Sequence, residues 1–131
     1  MKFVVVQDQD SNDCRELKEK LSKLCKNSEK EVLIRIACRE LEAWYFGDIN
    51  ALSTAYGIDL SAVKRKKKYR VPDAIMNPKS ELKRLLHGHQ QISGARKIAP
   101  VIGIEDNSSV SFQMFVNGVK RIADSDGIHA T

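Results

Sequence analysis

The chain has 131 residues, of which 42% are hydrophobic and 30% are charged, and its net charge at pH 7 is +5. These proportions indicate one globular domain and exclude a disordered or fibrous chain. The sequence has no run of about eighteen apolar residues and no basic segment followed by an apolar one, so we expect neither a membrane span nor a signal peptide, and a cytoplasmic location.

The first predicted element is a strand at Phe3 to Val6, whose continuous β-branched and aromatic side chains are typical of a strand buried on both faces. Asp8 and Asp10 follow it directly. Two carboxylates one residue apart in an extended chain point the same way and are suited to hold a divalent cation. The alternative is that these aspartates only form a turn before a helix.

A helix and a second strand come next. Apolar residues at three- and four-residue spacing from Cys14 to Cys25 predict an amphipathic helix, which Asp13 can cap. The segment EVLIRIA predicts another strand at Val32 to Ile36. Strand, helix and strand form a βαβ unit with parallel strands, and chemistry in such sheets gathers beyond the carboxyl ends of the strands.

The second strand also leads into acidic residues, Glu40 and Glu42 of CRELEAWYFGD. If the two strands are neighbours, these glutamates emerge beside Asp8 and Asp10. Four carboxylates at one edge repel each other unless a cation is bound, so we expect Mg²⁺ or Mn²⁺ there. If the segment is already helical, positions two apart lie on different sides, and only one glutamate faces inward.

The remaining elements are predicted helices and loops in a basic half of the chain. Residues 1–60 hold nine bases and eleven acids, whereas residues 61–131 hold thirteen bases and six acids, a charge of −2 against +7. The basic half would attract a polyanion such as nucleic acid. The densest basic segment supplies our candidate contacts, unless it is merely a solvated surface: Lys64, Arg65, Lys66, Lys67, Lys68 and Arg70.

Three further features belong to this half. The segment NPKSELKRLLHG predicts a helix with Asn77 as cap and Pro78 at its first position, and SFQMFVNGVKRIA predicts a final amphipathic helix. His87 and His89 lie near no Cys or third His, so we assign them to a loop. Two interior strands make an incomplete sheet, so we expect a homodimer unless the final helix covers the bare edge.

Five segments in this order resemble the bacterial domain-of-unknown-function family 4276, whose members resemble Toprim domains of the OLD nuclease type: VVVQDQDSNDC, RIACRELEAWYFGD, NPKSELKRL, ISGARKIAP and SFQMFVNG. The resemblance implies one Toprim-like, Rossmann-like α/β domain over residues 1–131. Its parts would be a βαβ half with the acidic metal site in residues 1–60 and a basic, mostly helical half in residues 61–131.

The resemblance also implies an activity, metal-dependent hydrolysis of nucleic acid phosphodiesters, and work with an ATPase partner in bacterial defence. Asp8 and Asp10 match the Toprim metal pair, Glu40 and Glu42 match the later acidic segment, and Lys79 or Arg96 would hold the scissile phosphate. Toprim domains begin with a further strand that ends in a glutamate, and none precedes Phe3. We therefore expect a truncated chain, a partner that supplies this segment, or lost catalysis.

Two other functions compete with a nuclease. A non-catalytic module that binds nucleic acid or docks on a partner would explain the basic half without any chemistry. An apolar run followed by Asp-x-Asp also opens the haloacid-dehalogenase phosphatases, but their motif has Thr or Val where this chain has Asn12, and their later motifs are not in order. We rank the phosphatase last.

Overall fold

The computed structural model describes residues 1–124 and has an α/β fold. Strands β1 (Lys2–Asp8) and β2 (Glu31–Ala37) form a parallel sheet, and helix α1 (Cys14–Leu24) connects them. The register pairs Lys2 with Glu31 and Asp8 with Ala37, so both strands end at the same edge. The predicted βαβ unit and the incomplete parallel sheet are confirmed.

The rest of the described chain is mostly helical, as expected. Two single-turn 3₁₀ helices, Lys67–Tyr69 and Pro72–Ala74, separate the helices of this half. Within residues 1–124, no helix is both long enough and apolar enough to cross a membrane. The remaining helices are α2 (Glu42–Phe46), α3 (Ile49–Tyr56), α4 (Ser61–Lys64), α5 (Pro78–Leu85), α6 (Gln91–Ile98) and α7 (Val110–Asp124).

Local signals in the sequence set several of the helix ends. Asp13 accepts a hydrogen bond from the backbone N–H of Glu16 at 3.0 Å and caps α1. Asp48 caps α3 in the same way, and Gly57 ends that helix with a left-handed φ of 63°. Pro78 is the first residue of α5, where its missing N–H costs no hydrogen bond.

The hydrophobic core has two parts. A smaller cluster joins Ala37 at the end of β2 to Trp44 of α2 and to Phe112 and Val116 of α7. The larger cluster lies among the helices, and its fully buried side chains include Phe46, Leu52, Leu82, Leu86 and Ile98. Helix α2 contributes to both clusters, so the segment just beyond the sheet edge is firmly held.

Strand β1 differs from the sequence expectation, which buried it on both faces. Phe3, Val4 and Val6 are 44%, 40% and 37% exposed, whereas Leu33 and Ile34 of β2 are buried. The prediction of an interior strand is wrong for β1 within the described chain. The reason is that α1 and α7 contact β2, whereas β2 is the only described strand that pairs with β1.

Candidate active site at the carboxyl edge of the sheet

Asp8 lies at the end of β1 and connects the sheet to the segment that precedes α2. Its Oδ1 accepts a hydrogen bond from the backbone N–H of Leu41 at 2.8 Å. Burial raises the pKa of Asp8, and the charges of Asp10 and Glu40 raise it further, against the Leu41 hydrogen bond and the charge of Lys79. The carboxylate is therefore fixed in place and lies near two other acids.

The loops that follow the two strands are bonded to each other. The backbone N–H of Gln9 donates to the carbonyl of Ala37 at 2.9 Å, and that of Asp10 donates to the carbonyl of Arg39 at 2.6 Å. Asp10 and Arg39 both have left-handed backbones, with φ values of 52° and 61°. Such conformations are strained for residues other than glycine and persist where the surroundings enforce them, often at functional sites.

Glu42, the first residue of α2, is a buried acid with an unsatisfied oxygen. Only 4% of its surface is exposed, and Oε2 has no hydrogen-bond partner among residues 1–124. Burial raises its pKa, and the nearby carboxylates of Asp8 and Glu40 add to this, whereas Lys79 lowers it. A buried acceptor without a donor is costly, so this oxygen is suited to a cation or to a ligand that donates a hydrogen bond.

Glu40 has protein partners at the start of α5. Its Oε1 accepts a hydrogen bond from the backbone N–H of Lys79 at 3.0 Å, and its Oε2 lies 3.8 Å from Nζ of the same lysine. Glu40 therefore ties the sheet edge to α5 and holds Lys79 beside the acids. These contacts leave it less free to bind a cation than Glu42.

A cavity of about 530 Å³ brings these acids together. Asp8, Asp10 and Glu42 line it, so the structure brings three of the four predicted metal ligands to one cavity. Asp10 and Glu40 share a separate groove. Among residues 1–124, no group of three or more His, Cys, Asp or Glu side chains is arranged to hold a metal ion. The carboxylates that share the cavity are thus neighbours without forming a closed cage.

Tyr45, His89 and Gln91 also line the main cavity, and sequence reasoning missed them. His89 does lie in a loop, as predicted, but in the loop that leads to α6 at the cavity wall. The one local signal was Gly94, a glycine inside a helical pattern, which often marks a close contact. A side chain at Gly94 would overlap the imidazole of His89.

The predicted nucleic-acid contacts lie outside the cavity lining. Arg96 is exposed in the last turn of α6. The six cations of the segment Lys64–Arg70 are also exposed, and Tyr69 within this segment is 3% exposed and stacks on Phe46 with ring centroids 5.2 Å apart. The buried tyrosine anchors the segment while its cations face solvent.

Comparison with known proteins identifies a family but no activity. No curated protein and no solved structure matches the chain. The family described as domain of unknown function (DUF4276) matches residues 3–120, which include β2, β1 except its first residue, the acidic edge and most of α7. The chain belongs to the DUF4276 family.

Proposed function

We propose that the carboxyl edge of the sheet is a metal-dependent site that hydrolyses phosphodiesters of nucleic acid. One observation carries the proposal: the buried, unpartnered Oε2 of Glu42 lies at the same cavity as Asp8 and Asp10. The resemblance to Toprim domains supports it, since Asp8 and Asp10 match the metal-binding pair of that fold. An ATPase partner, as in OLD-type systems, is part of the same proposal.

The residues present fit a hard cation. Asp8 and Glu42 would hold Mg²⁺ or Mn²⁺, with Asp10 at the same cavity. Mg²⁺ in phosphate-handling enzymes is commonly held by one or two carboxylates together with water and substrate oxygens, so a closed set of three side chains is not required. When bound, the cation neutralises phosphate charge and lowers the pKa of a bound water.

The protein's own groups would orient the substrate. Glu40 holds Lys79 at the acidic edge, where its ammonium would contact a phosphate oxygen of the bound nucleic acid. The hydrogen bond from Leu41 to Asp8 keeps that carboxylate in one orientation. The exposed cations of the basic half would attract the polyanion from solution.

Calorimetric titration with Mn²⁺ tests the cation site. Asp8→Asn and Glu42→Gln keep the shape of each side chain but remove its charge, so each should weaken Mn²⁺ binding by about tenfold or more. Glu19→Gln, on the exposed surface of α1, is the matched control and should leave the affinity unchanged. Equal affinity in all four proteins would reject the site.

A nuclease assay with Mg²⁺ or Mn²⁺ tests the reaction. Cleavage of single- or double-stranded DNA or RNA should require the cation and should be lost in Asp8→Asn and Glu42→Gln. If the wild type binds Mn²⁺ but cleaves none of these substrates under any of these conditions, the site is not a nuclease of nucleic acid.

The second candidate is a non-catalytic module that binds nucleic acid or a partner. The contacts of Glu40 with Lys79 favour it, since they occupy one of the four predicted metal ligands. This candidate expects nucleic acid binding that depends on salt but not on Mg²⁺, and identical binding by Asp8→Asn and the wild type.

A further inference from the structure

A second cavity, of about 220 Å³, lies beside the main one and has a different chemistry. Glu42, His89 and Gln91 line both cavities. Most of the side chains that line the second cavity carry positive charge or hydrogen-bond donors. Its lining consists of Glu42, Lys79, Lys83, His89, Gln90 and Gln91.

His89 is held in a fixed position at this cavity. Its Nδ1 is hydrogen-bonded to the hydroxyl of Tyr56, and its ring lies against Gly94, where a Cβ atom would overlap the imidazole and lie 2.9 Å from that hydroxyl. The ammonium of Lys97 lies 5.0 Å from the centre of the Tyr56 ring. Burial, Lys83 and Lys97 lower the pKa of His89, which favours the neutral ring.

The Tyr56 contact decides which ring nitrogen carries the proton. Burial raises the pKa of Tyr56, so its hydroxyl keeps its proton. A phenol O–H is a stronger donor than an imidazole N–H, and an imidazole nitrogen is a stronger acceptor than a phenol oxygen, so we assign the hydroxyl of Tyr56 as the donor to Nδ1 of His89. A neutral imidazole that accepts at Nδ1 carries its proton at Nε2. His89 therefore presents an N–H donor as its second polar group.

The cavity combines this donor with two lysines and the start of α6. Lys79 and Lys83 supply ammonium groups from α5. Gln90 is the N-cap of α6 and makes no capping hydrogen bond with its side chain, so the positive end of that helix also lies at this cavity. The volume is below the range of about 300 to 1,000 Å³ typical of whole drug-sized ligands, which favours a small group.

We propose that this second cavity binds a phosphate group, with Lys79, Lys83 and the Nε2–H of His89 as donors and Tyr56 as a positioning residue. The inference rests on the proposed function for the source of the phosphate, a nucleic acid strand whose neighbouring phosphodiester lies in the main cavity. Glu42 is the one acid among the described residues of the lining, and the two lysines outweigh its charge without a cation in the main cavity.

Titration with inorganic phosphate in the absence of metal tests the site. Binding is followed by the chemical shifts of the backbone amides of Gln90 and Gln91. Lys83→Gln and His89→Ala should each weaken phosphate binding by about tenfold or more, since each removes a donor to a charged ligand. Lys120→Gln removes one exposed positive charge from α7 and is the matched control. Equal weakening in all three, or in none, overturns the site.

Two further variants test how His89 is positioned. Gly94→Ala should displace the imidazole and weaken phosphate binding while the melting temperature stays close to that of the wild type, because the overlapping atoms belong to a side-chain tip. Nitrogen-15 spectra of the imidazole should show the proton on Nε2 in the wild type and a mixture of the two forms in Tyr56→Phe. A proton on Nδ1 in the wild type would contradict the assignment of His89 as a donor.

The source of the phosphate is tested with a dinucleotide that carries a 5′-phosphate and one that does not. Tighter binding of the first supports a strand end as the ligand, and equal binding supports an internal phosphodiester. Failure of both dinucleotides to compete with inorganic phosphate overturns the substrate assignment.

The variant Asp8→Asn separates the phosphate site from the metal site. It should keep phosphate binding while it loses Mn²⁺ binding, so failure of the phosphate site and failure of the metal site are separate results.

Discussion

Glu81 shows how a single carboxylate organises the charges around it. Its carboxylate oxygens lie 2.6 Å from Lys68 Nζ and 2.7 Å from Arg84 Nη2, and one of them accepts a hydrogen bond from the hydroxyl of Tyr69 at 2.7 Å. These contacts lower the pKa of Glu81 from its ordinary 4.5 to about 2. Burial and the bond to Glu81 raise the pKa of Tyr69 to about 12. Lys68, a predicted nucleic-acid contact, thus already has a partner.

The contacts of Glu81 should make the free energy of unfolding depend on pH. A depressed folded pKa stabilises the fold above the unfolded pKa, and this contribution disappears as the pH falls from about 5 to about 2. We expect Glu81→Gln to lower the free energy of unfolding at pH 7 by about 1–2 kcal/mol, after allowance for the exposure of the two cations. Denaturation at several pH values measures it.

The difference between wild type and Glu81→Gln should shrink toward zero at pH 2. Glu19→Gln controls for the loss of one negative charge from the surface. A difference that stayed constant over the whole range would show that the carboxylate of Glu81 does not stabilise the fold through its charge.

At the scale of elements, the basic segment Lys64–Arg70 is built to present cations. Tyr69 packs into the larger core cluster and holds the 3₁₀ helix Lys67–Tyr69 in place. The side chains of Lys66, Lys67 and Arg70 make no hydrogen bond or ion pair with the residues that the structure describes, whereas the side chain of Lys68 contacts Glu81. The sequence identified the segment, but only the fold separates its free cations from its paired one.

The segment should contact nucleic acid in a salt-dependent way. Replacement of Lys66, Lys67 and Arg70 with Ala should weaken binding to all sequences alike and reduce the slope of log K against log salt by about 2 to 3, since each phosphate contact contributes about 0.7 to 0.9. Fluorescence anisotropy at several salt concentrations measures this slope.

Replacement of Lys18, Lys20 and Lys23 of α1 with Ala removes the same charge from the acidic half and is the matched control. If both triple variants lower the slope equally, the effect comes from net charge, and the segment is an ordinary solvated surface.

At the scale of the whole molecule, no element within the described residues 1–124 fully covers strand β1. Phe3 and Val4 lie on opposite faces of β1, and both are exposed, while the contacts of α7 with the sheet are mainly with β2. A strand with exposed apolar side chains and one unpaired edge is a template for association.

We therefore expect the chain to form a homodimer through β1, with the unpaired edges joined across a two-fold axis. Phe3→Lys together with Val4→Lys should shift sedimentation equilibrium to the monomer, whereas Ile92→Lys, a change of a more exposed apolar residue on α6, should not. A wild-type monomer at high micromolar concentration would contradict the prediction.

Much of the fold could be predicted because its signals are local. Asp13, Asp48, Gly57 and Pro78 set helix ends through contacts with residues close in sequence, and continuous apolar runs marked both strands. The acidic edge was also predictable, since parallel neighbours end at the same side of a sheet. The exposure of β1 was not, because an apolar run specifies that a strand can be buried but does not specify which element covers it.

The sequence by itself determined the α/β class, the parallel pairing, the acidic edge and the charge difference between the two halves. The tertiary structure decided which of these groups are free to act. It paired Glu40 with Lys79, buried Oε2 of Glu42 without a partner among the described residues, and joined His89 to Tyr56, 33 residues away. The physical reason is that burial and hydrogen bonding depend on contacts between distant segments, whereas periodicity and capping are properties of neighbouring residues.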